Sequence, residues 1–290
     1  MFSILDLLPA SSPIRILDLG AMLFPGEPPV YEPLLNRTAC DVIGFEAVSE
    51  ECDKLRSTYS ERPGFEFFPW TISDGLDHTF YISSLSSRSS LYAPNIELCN
   101  QFGAFGEYMK VVRQHVVKTK RLDDVPEIGN VDWVKMDIQG AERDAINGGT
   151  ETLRKAMIIE TEVEFIEQYV GQPLFAEVDQ SLRSLGFMFH TFLGYGTRPL
   201  KPLIPGTDPR AGFRQWLWAD AVYVRDFQAF EKAEPEKLLK TACILHEIYN
   251  SFDFACRALI AYDSLCDTDL AERYFSLLEA HFGHSVGTSE

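Results

Sequence analysis

The stretch Val131-Asp-Trp-Val-Lys-Met-Asp-Ile-Gln-Gly-Ala-Glu142 decides the reading of the fold. Its first seven residues form an apolar-rich run of strand length that ends on an acid. Gly140 follows, and a helical stretch opens at Ala141. A strand that turns through glycine into a helix is the building unit of a parallel sheet with helical crossovers. The pattern repeats outward in both directions. Upstream lie Ile14–Leu19 (IRILDL), Val42–Glu46 and Phe65–Phe68, and downstream come Ile158–Val163, a helix over Phe175–Leu185, Phe187–Phe192 and Trp216–Val224. The spacing predicts an α/β fold, a mostly parallel sheet flanked by helices.

The chain has 290 residues, 46% of them hydrophobic and 24% charged, which suits a folded protein with a core of its own. Lys and Arg number 26 against 43 Asp and Glu, a formal net charge of −17. That balance argues against nucleic acid as a partner, because phosphate binding is driven by basic residues releasing counterions. Cys40, Cys52, Cys99, Cys243, Cys256 and Cys266 form no CxxC pair, so neither a zinc ribbon nor a thioredoxin-like site is written here. Scattered among apolar neighbours, they read as buried reduced thiols. The amino-terminal run lacks a basic start and carries Asp6, unlike a signal peptide, and no apolar stretch approaches the ~20 residues of a membrane span. These features lead us to expect a soluble, cytoplasmic protein.

Two segments depart from the alternation. Residues 83–106 are rich in serine and small residues and read as a long loop, either a solvent-exposed insertion or a functional lid. Beyond residue 226, Pro235–Tyr249, Phe252–Asp263 and Thr268–Phe282 read as three amphipathic helices with no strand between them. The expected organisation is therefore a main domain over residues 1–225 and a small helical appendage over 226–290. Packing of the appendage onto the main domain is preferred to a role in partner docking or in a homodimer.

In open parallel sheets ligands bind beyond the carboxyl ends of the strands, near the reversal in strand order. The first strand ends at Asp18-Leu-Gly20, where a glycine admits a close backbone approach, although no GxGxxG fingerprint is present. The second ends at Glu46, placed to accept hydrogen bonds from ribose hydroxyls. The third leads to Pro69-Trp-Thr-Ile-Ser-Asp-Gly75, an aromatic and short polar side chains suited to bordering an adenine, or to an ordinary surface turn. The fourth ends at Asp137, with Gln139 and Glu142 close behind, Glu142 also being in place to cap the next helix. Glu160, Glu162 and Glu164 alternate along the fifth strand and so share one face, which is costly unless they meet a polar cleft.

Together, Asp18-Leu-Gly-Ala21, Gly44-Phe-Glu46, Lys135-Met-Asp-Ile-Gln-Gly-Ala-Glu142, Thr161-Glu-Val-Glu164 and Gln172-Pro-Leu-Phe175 resemble the FkbM-type S-adenosylmethionine (SAM) methyltransferases. The resemblance runs from about Ile14 to Val224 and is sharpest at Asp137–Glu142. It implies a Rossmann-like class I methyltransferase sheet of seven strands, six parallel and one antiparallel. It also implies methylation of hydroxyl groups, typically on sugars of glycolipids and polysaccharides or on natural products. By this resemblance Asp18, Gly20 and Ala21 form the first SAM loop, and Glu46 with Ala47 holds the ribose. Thr71, Ser73 and Asp74, with Trp70, lie near the adenine, while Asp137 and Gln139 stand beside the methyl-bearing end. The loop departs from the family pattern, having Phe24 where a second glycine is usual and its next glycine at Gly26.

A hydroxyl needs to lose its proton to attack, so a positioned base is expected, contributing about 10²–10⁴-fold. The candidates are Asp137, then Glu162 and Glu164. Arg88, Glu142 and His190 are the candidate acceptor contacts, with a solvated arginine and a satisfied core histidine as the plain alternatives. No dedicated metal spacing is present. A nucleotide-sugar or NAD-dependent oxidoreductase would want GxGxxG and a Tyr-x-x-x-Lys pair. A non-catalytic Rossmann-like module acting through its helical tail would keep the fold and lose SAM.

Overall fold

The computed structural model describes residues 2–24, 26–203, 205–208 and 210–283. Among these residues nine strands form two sheets: β1 (Ile14–Leu19), β2 (Cys40–Phe45), β3 (Phe65–Phe68), β4 (Asp77–Ser83), β5 (Val111–Lys118), β6 (Trp133–Met136), β7 (Ile158–Glu164), β8 (Phe187–Thr197) and β9 (Trp216–Arg225). Seven of them make one sheet in the order β3-β2-β1-β6-β7-β9-β8. β9 runs antiparallel to both its neighbours and the remaining pairs are parallel, so six strands point one way. Strand order reverses between β1 and β6. This is the seven-strand class I methyltransferase sheet expected from the sequence.

The central strands are buried on both faces, as in β1, β2 and β6, and β7 is buried along its whole length despite its three glutamates. Such strands read as near-continuous apolar runs, which is why they stand out in the sequence. Alternation divides the core into two layers. Leu17, Ile43, Val134, Ile159 and Tyr223 face the helices Glu142–Gly148 and Phe175–Ser184. Ile16, Val42, Trp133, Ile158 and Val224 face the opposite way.

That second face is covered by the carboxyl-terminal helices. The crossover from β1 to β2 contains only the four-residue helix Glu32–Leu35, too little to shield it. Helices Pro235–Glu247, Phe252–Cys266 and Leu270–Phe282 fill the gap. Leu238, Ala242, Leu245, Leu259 and Tyr274 share one apolar cluster with Ile16, Trp133 and Ile158. Lys240 anchors the first of these helices through Asp132 (3.0 Å), and Tyr249 donates a hydrogen bond to Glu160 in β7 (2.8 Å). All six cysteines are free thiols. No helix among the described residues is long and apolar enough to cross a membrane.

The segment 83–106 is not a free insertion. It joins β4 to β5, which pair antiparallel in a separate two-stranded sheet that has no counterpart in the sequence reading. Between them the chain folds back over the sheet, with Phe102, Phe105 and Met109 packed against Tyr169 and Leu217.

Candidate active site

A cleft opens at the carboxyl ends of β1, β2 and β6, where the strand order reverses. It measures about 650 Å³ including its solvent-open mouth. Its floor is Gly20, with φ +80°, where an added Cβ would stand 1.9 Å from the carbonyl oxygen of Asp137. Only glycine allows these two strand ends to approach so closely. At the end of β2, Glu46 is buried and accepts the Val48 N–H (2.7 Å). Burial pushes its carboxyl up to about 7, against the hydrogen bond from Val48. One wall is Trp70, stacked on Phe68 (4.4 Å) and facing the Lys120 ammonium (3.6 Å). Ser86, Ser87 and Ser89, from the segment between β4 and β5, close the other side.

Of the residues expected at the cofactor, Gly20, Glu46, Ala47, Thr71, Asp137 and Gln139 line this cleft. Ala21 is buried beside it and donates its N–H to Phe45. Asp18 lies beneath, holding the Tyr31 hydroxyl (2.9 Å) and facing Lys135 (3.7 Å). Ser73 is fully buried behind the wall. Asp74 holds a turn, accepting from the Leu76 N–H (2.9 Å) and pairing with His78 (2.8 Å). A glycine floor, a buried carboxylate, an aromatic wall and a volume of this size suit a nucleoside cofactor such as SAM.

Behind the lip of the cleft a hydrogen-bonded network surrounds Gln139. Its amide nitrogen donates to Asp137 (2.6 Å) and to Glu162 (2.5 Å), and its carbonyl accepts from Arg88 (3.0 Å) and Tyr169 (2.9 Å). These four bonds fix which way the amide points. Gln139 also adopts φ +57°, uncommon for a residue with a Cβ, and Ser90 holds it there by donating to its backbone carbonyl (2.6 Å). Strain of this kind, over-determined by its surroundings, marks a position where one side-chain direction matters.

The charges in this network are unequal. Burial pushes the Asp137 carboxyl up, but Lys135 (3.9 Å away) and the surrounding hydrogen bonds outweigh it and hold the group below the usual carboxylate value. Glu162 is driven far the other way by burial and by the negative charge of Asp137, although Arg88 lies 3.7 Å off. Glu164 is likewise raised by burial, then by Glu142 and Asp137. The pattern sets Asp137, held low, against Glu162 and Glu164, both raised.

Two expected contacts lie elsewhere. Glu142 spends both oxygens on the N–H groups of Ile138 (2.8 Å) and Gly140 (2.9 Å), bracing the turn after β6. His190 sits at a register shift in β8, bonded to Ser251 and packed against Phe254 beside the carboxyl-terminal helices. Sequence reasoning also missed residues. Lys135 shares one face of β6 with Trp133 and Asp137, and a lysine inside a core strand was the available signal. Tyr169, Arg198, Trp218 and Asp220 carry no such signal. They are brought to the site by the β8–β9 hairpin and the loop after β7. Among the described residues no group of three His, Cys, Asp or Glu side chains is placed to hold a metal ion.

The family described as Methyltransferase FkbM domain matches residues 28–189. A stretch of 67 residues is 51% identical to the 2-O-methyltransferase NoeI of Sinorhizobium fredii (strain NBRC 101917 / NGR234), covering 22% of this chain and 28% of that protein. The match thus spans under a third of the relative's length. Among solved structures, the magnesium protoporphyrin IX methyltransferase of Synechocystis PCC 6803 with bound SAM is 11% identical over 74% of this chain and 71% of that one, with a TM-score of 0.37. A SAM-dependent O-methyltransferase from Thermotoga maritima is 14% identical over 77% and 62%, with a TM-score of 0.35. Both likenesses are distant, and the strand order rather than either of them defines the fold.

Proposed function

The chain belongs to the FkbM methyltransferase family and uses SAM, and from that premise we propose that it is an O-methyltransferase acting on a hydroxyl of a sugar or similarly polyhydroxylated acceptor. SAM supplies an electrophilic methyl group. Gly20, Glu46, Ala47, Trp70, Thr71, Asp137 and Gln139 are the residues that would hold it. The observation that carries the reading is the state of Asp137, an ionised carboxylate on the lip of the cleft, locked in direction by Gln139 and kept charged by Lys135.

Such a carboxylate accepts the hydrogen bond of an incoming hydroxyl and aims its lone pair. It is a weak base toward a free alcohol. The hydroxyl becomes strongly acidic as its oxygen gains a third bond, so the proton passes to Asp137 late in the reaction. Glu162 and Glu164, both raised by burial, hold protons of their own more tightly than Asp137 does. The segment carrying Ser86–Ser89 covers the cleft and limits water, and holding the reactants together contributes up to about 7–11 kcal/mol in favourable cases. The name of the relative, a 2-O-methyltransferase, supports oxygen as the accepting atom.

The test has two arms. Calorimetry with SAM and its demethylated product should give saturable heat. If neither does, SAM binding fails and a non-catalytic module remains. With labelled SAM and a panel of sugar acceptors, Asp137→Asn should lower turnover by about 10²-fold or more even at saturating SAM. Wild-type turnover in that variant would remove Asp137 from the chemistry.

A further inference from the structure

Next to the network around Gln139, two guanidinium groups converge on one indole. Trp218 in β9 folds across Gly196 of β8, where an added Cβ would stand 2.0 Å from the ring. The Arg88 guanidinium lies 4.5 Å from the indole centroid and that of Arg198 lies 5.0 Å from it, with Phe105 stacked beside the indole at 6.0 Å. Arg198 stands just past the end of β8, at the same end of the sheet as the carboxyl ends of the other parallel strands.

The two arginines are not equally neutralised. Arg88 bonds Gln139 and faces Glu162. Arg198 has no carboxylate within ion-pair distance among the described residues. The nearby Asp208 is taken by Arg210, and among the described residues the polar partner of its side chain is the carbonyl of its neighbour Thr197. Its Nε is sealed from solvent and bonds to nothing. An unsatisfied buried donor costs about 1–3 kcal/mol, more when it is charged, and a second cation close by adds repulsion. Aromatic faces offset part of that cost by cation–π attraction of about 0.5–2 kcal/mol. What the arrangement lacks is an anion. The terminal edge of the guanidinium, whose Nη2 has no partner among the described residues, is the part left to take a carboxylate, phosphate or sulfate.

We propose that Arg198, with Arg88 beside it, forms an oxyanion subsite for the acceptor, so that the methylated molecule carries an anionic substituent as well as the reacting hydroxyl. The inference rests on the methyl-transfer reading and names its substrate class. The two subsites are linked through the chain itself. Arg88 bonds Gln139, and Gln139 bonds Asp137, so an anion at the arginines sits within the span of a small molecule from the hydroxyl at Asp137. A uronic acid, a sugar phosphate and a sulfated sugar all present this chemistry. A neutral sugar offers Arg198 no charge partner, so it should bind more weakly than an anionic one.

Binding of inorganic phosphate, methyl glucuronide, glucose 1-phosphate and the neutral methyl glucoside is to be followed by tryptophan fluorescence and calorimetry on the full chain. Wild type, Arg198→Gln and Arg198→Lys are compared, with SAM affinity measured in parallel. The anions should bind saturably and the methyl glucoside far more weakly. Arg198→Gln should weaken anion binding by about tenfold or more, with SAM affinity unchanged, and Arg198→Lys should recover part of the loss by restoring charge without the fork. The tighter of the carboxylate and phosphate arms identifies the group. Equal binding of charged and neutral probes, or anion binding indifferent to Arg198→Gln, overturns the subsite while leaving methyl transfer standing. Failure of SAM to bind overturns the parent reading, whatever the anions do.

Discussion

At the scale of single residues the site works by setting charge states. Glu46 is a buried carboxylate whose value near 7 falls inside the working range, because burial outweighs its single backbone hydrogen bond. Donors from a ribose favour its charged form, so cofactor binding and loss of that proton are linked. SAM affinity should therefore fall as the pH drops below about 7, and Glu46→Gln should weaken binding at pH 8 and flatten the dependence. Calorimetry across that range decides it; an unchanged pH profile in the variant would remove Glu46 from the cofactor. Asp137 and Glu162 make the opposite point. They share one amide partner, yet Lys135 holds the first below the usual carboxylate value while burial and the charge of Asp137 push the second above it. Their carboxyls are alike in the sequence. Their surroundings differ, and those are set by a lysine two residues before Asp137 and an arginine from a distant turn.

At the scale of elements, what was legible in the sequence and what was not divides along burial. β1, β2 and β6 are enclosed on both faces, so each is a compact apolar run, and the acids at their ends fall at readable offsets. That is why Gly20, Glu46 and Asp137 could be placed before any coordinates. The β4–β5 hairpin was not legible. β5 is exposed along most of its length, and 27 residues separate the two strands, so neither an alternating pattern nor a turn signal announces the pair. The segment they bracket supplies Arg88, Ser90 and Tyr92, which bond Gln139 and Asp144 across the site. Its role is to hold the turn after β6 in its left-handed form. Ser90→Ala should release that turn. Stability should fall by only about 1 kcal/mol, the scale of one hydrogen bond, while turnover falls by a larger factor because Gln139 no longer aims Asp137. Thermal melting alongside steady-state rates separates the two effects. Rate and stability moving in proportion would make Ser90 a plain structural residue.

At the scale of the whole molecule, the net charge of −17 and the carboxyl-terminal helices belong to one argument. The helical period was readable, but not the face it serves, because nothing local says that the crossover after β1 is too short to cover the sheet. The helices cover it, and in doing so they seal Glu160 into the interior, while Glu142 and Asp220 are raised by burial elsewhere in the fold. Glu160 is capped by Tyr249 and pushed to about 7 by burial. Glu142 is raised to about 7, and Asp220 to about 6, in both cases first by burial. Each group binds its proton more tightly folded than unfolded. The resulting stability is full below about pH 4, the ordinary carboxylate range, and is lost as pH rises through 6–7. Repulsion among surface carboxylates works in the same direction, while Asp137, held low, favours the fold only above the acid range. The purified protein should accordingly melt at a higher temperature near pH 5.5 than at pH 8, the reverse of a protein whose acids are mainly salt-bridged. Glu160→Gln isolates the interior share of the effect. It removes a charge that is buried and keeps an oxygen to accept from Tyr249. It should therefore stabilise the fold at pH 8 by about 1–3 kcal/mol and shrink the difference between the two pH values. Denaturant unfolding at both pH values measures this, and a variant no more stable than wild type at pH 8 would show that Glu160 is charged at no cost.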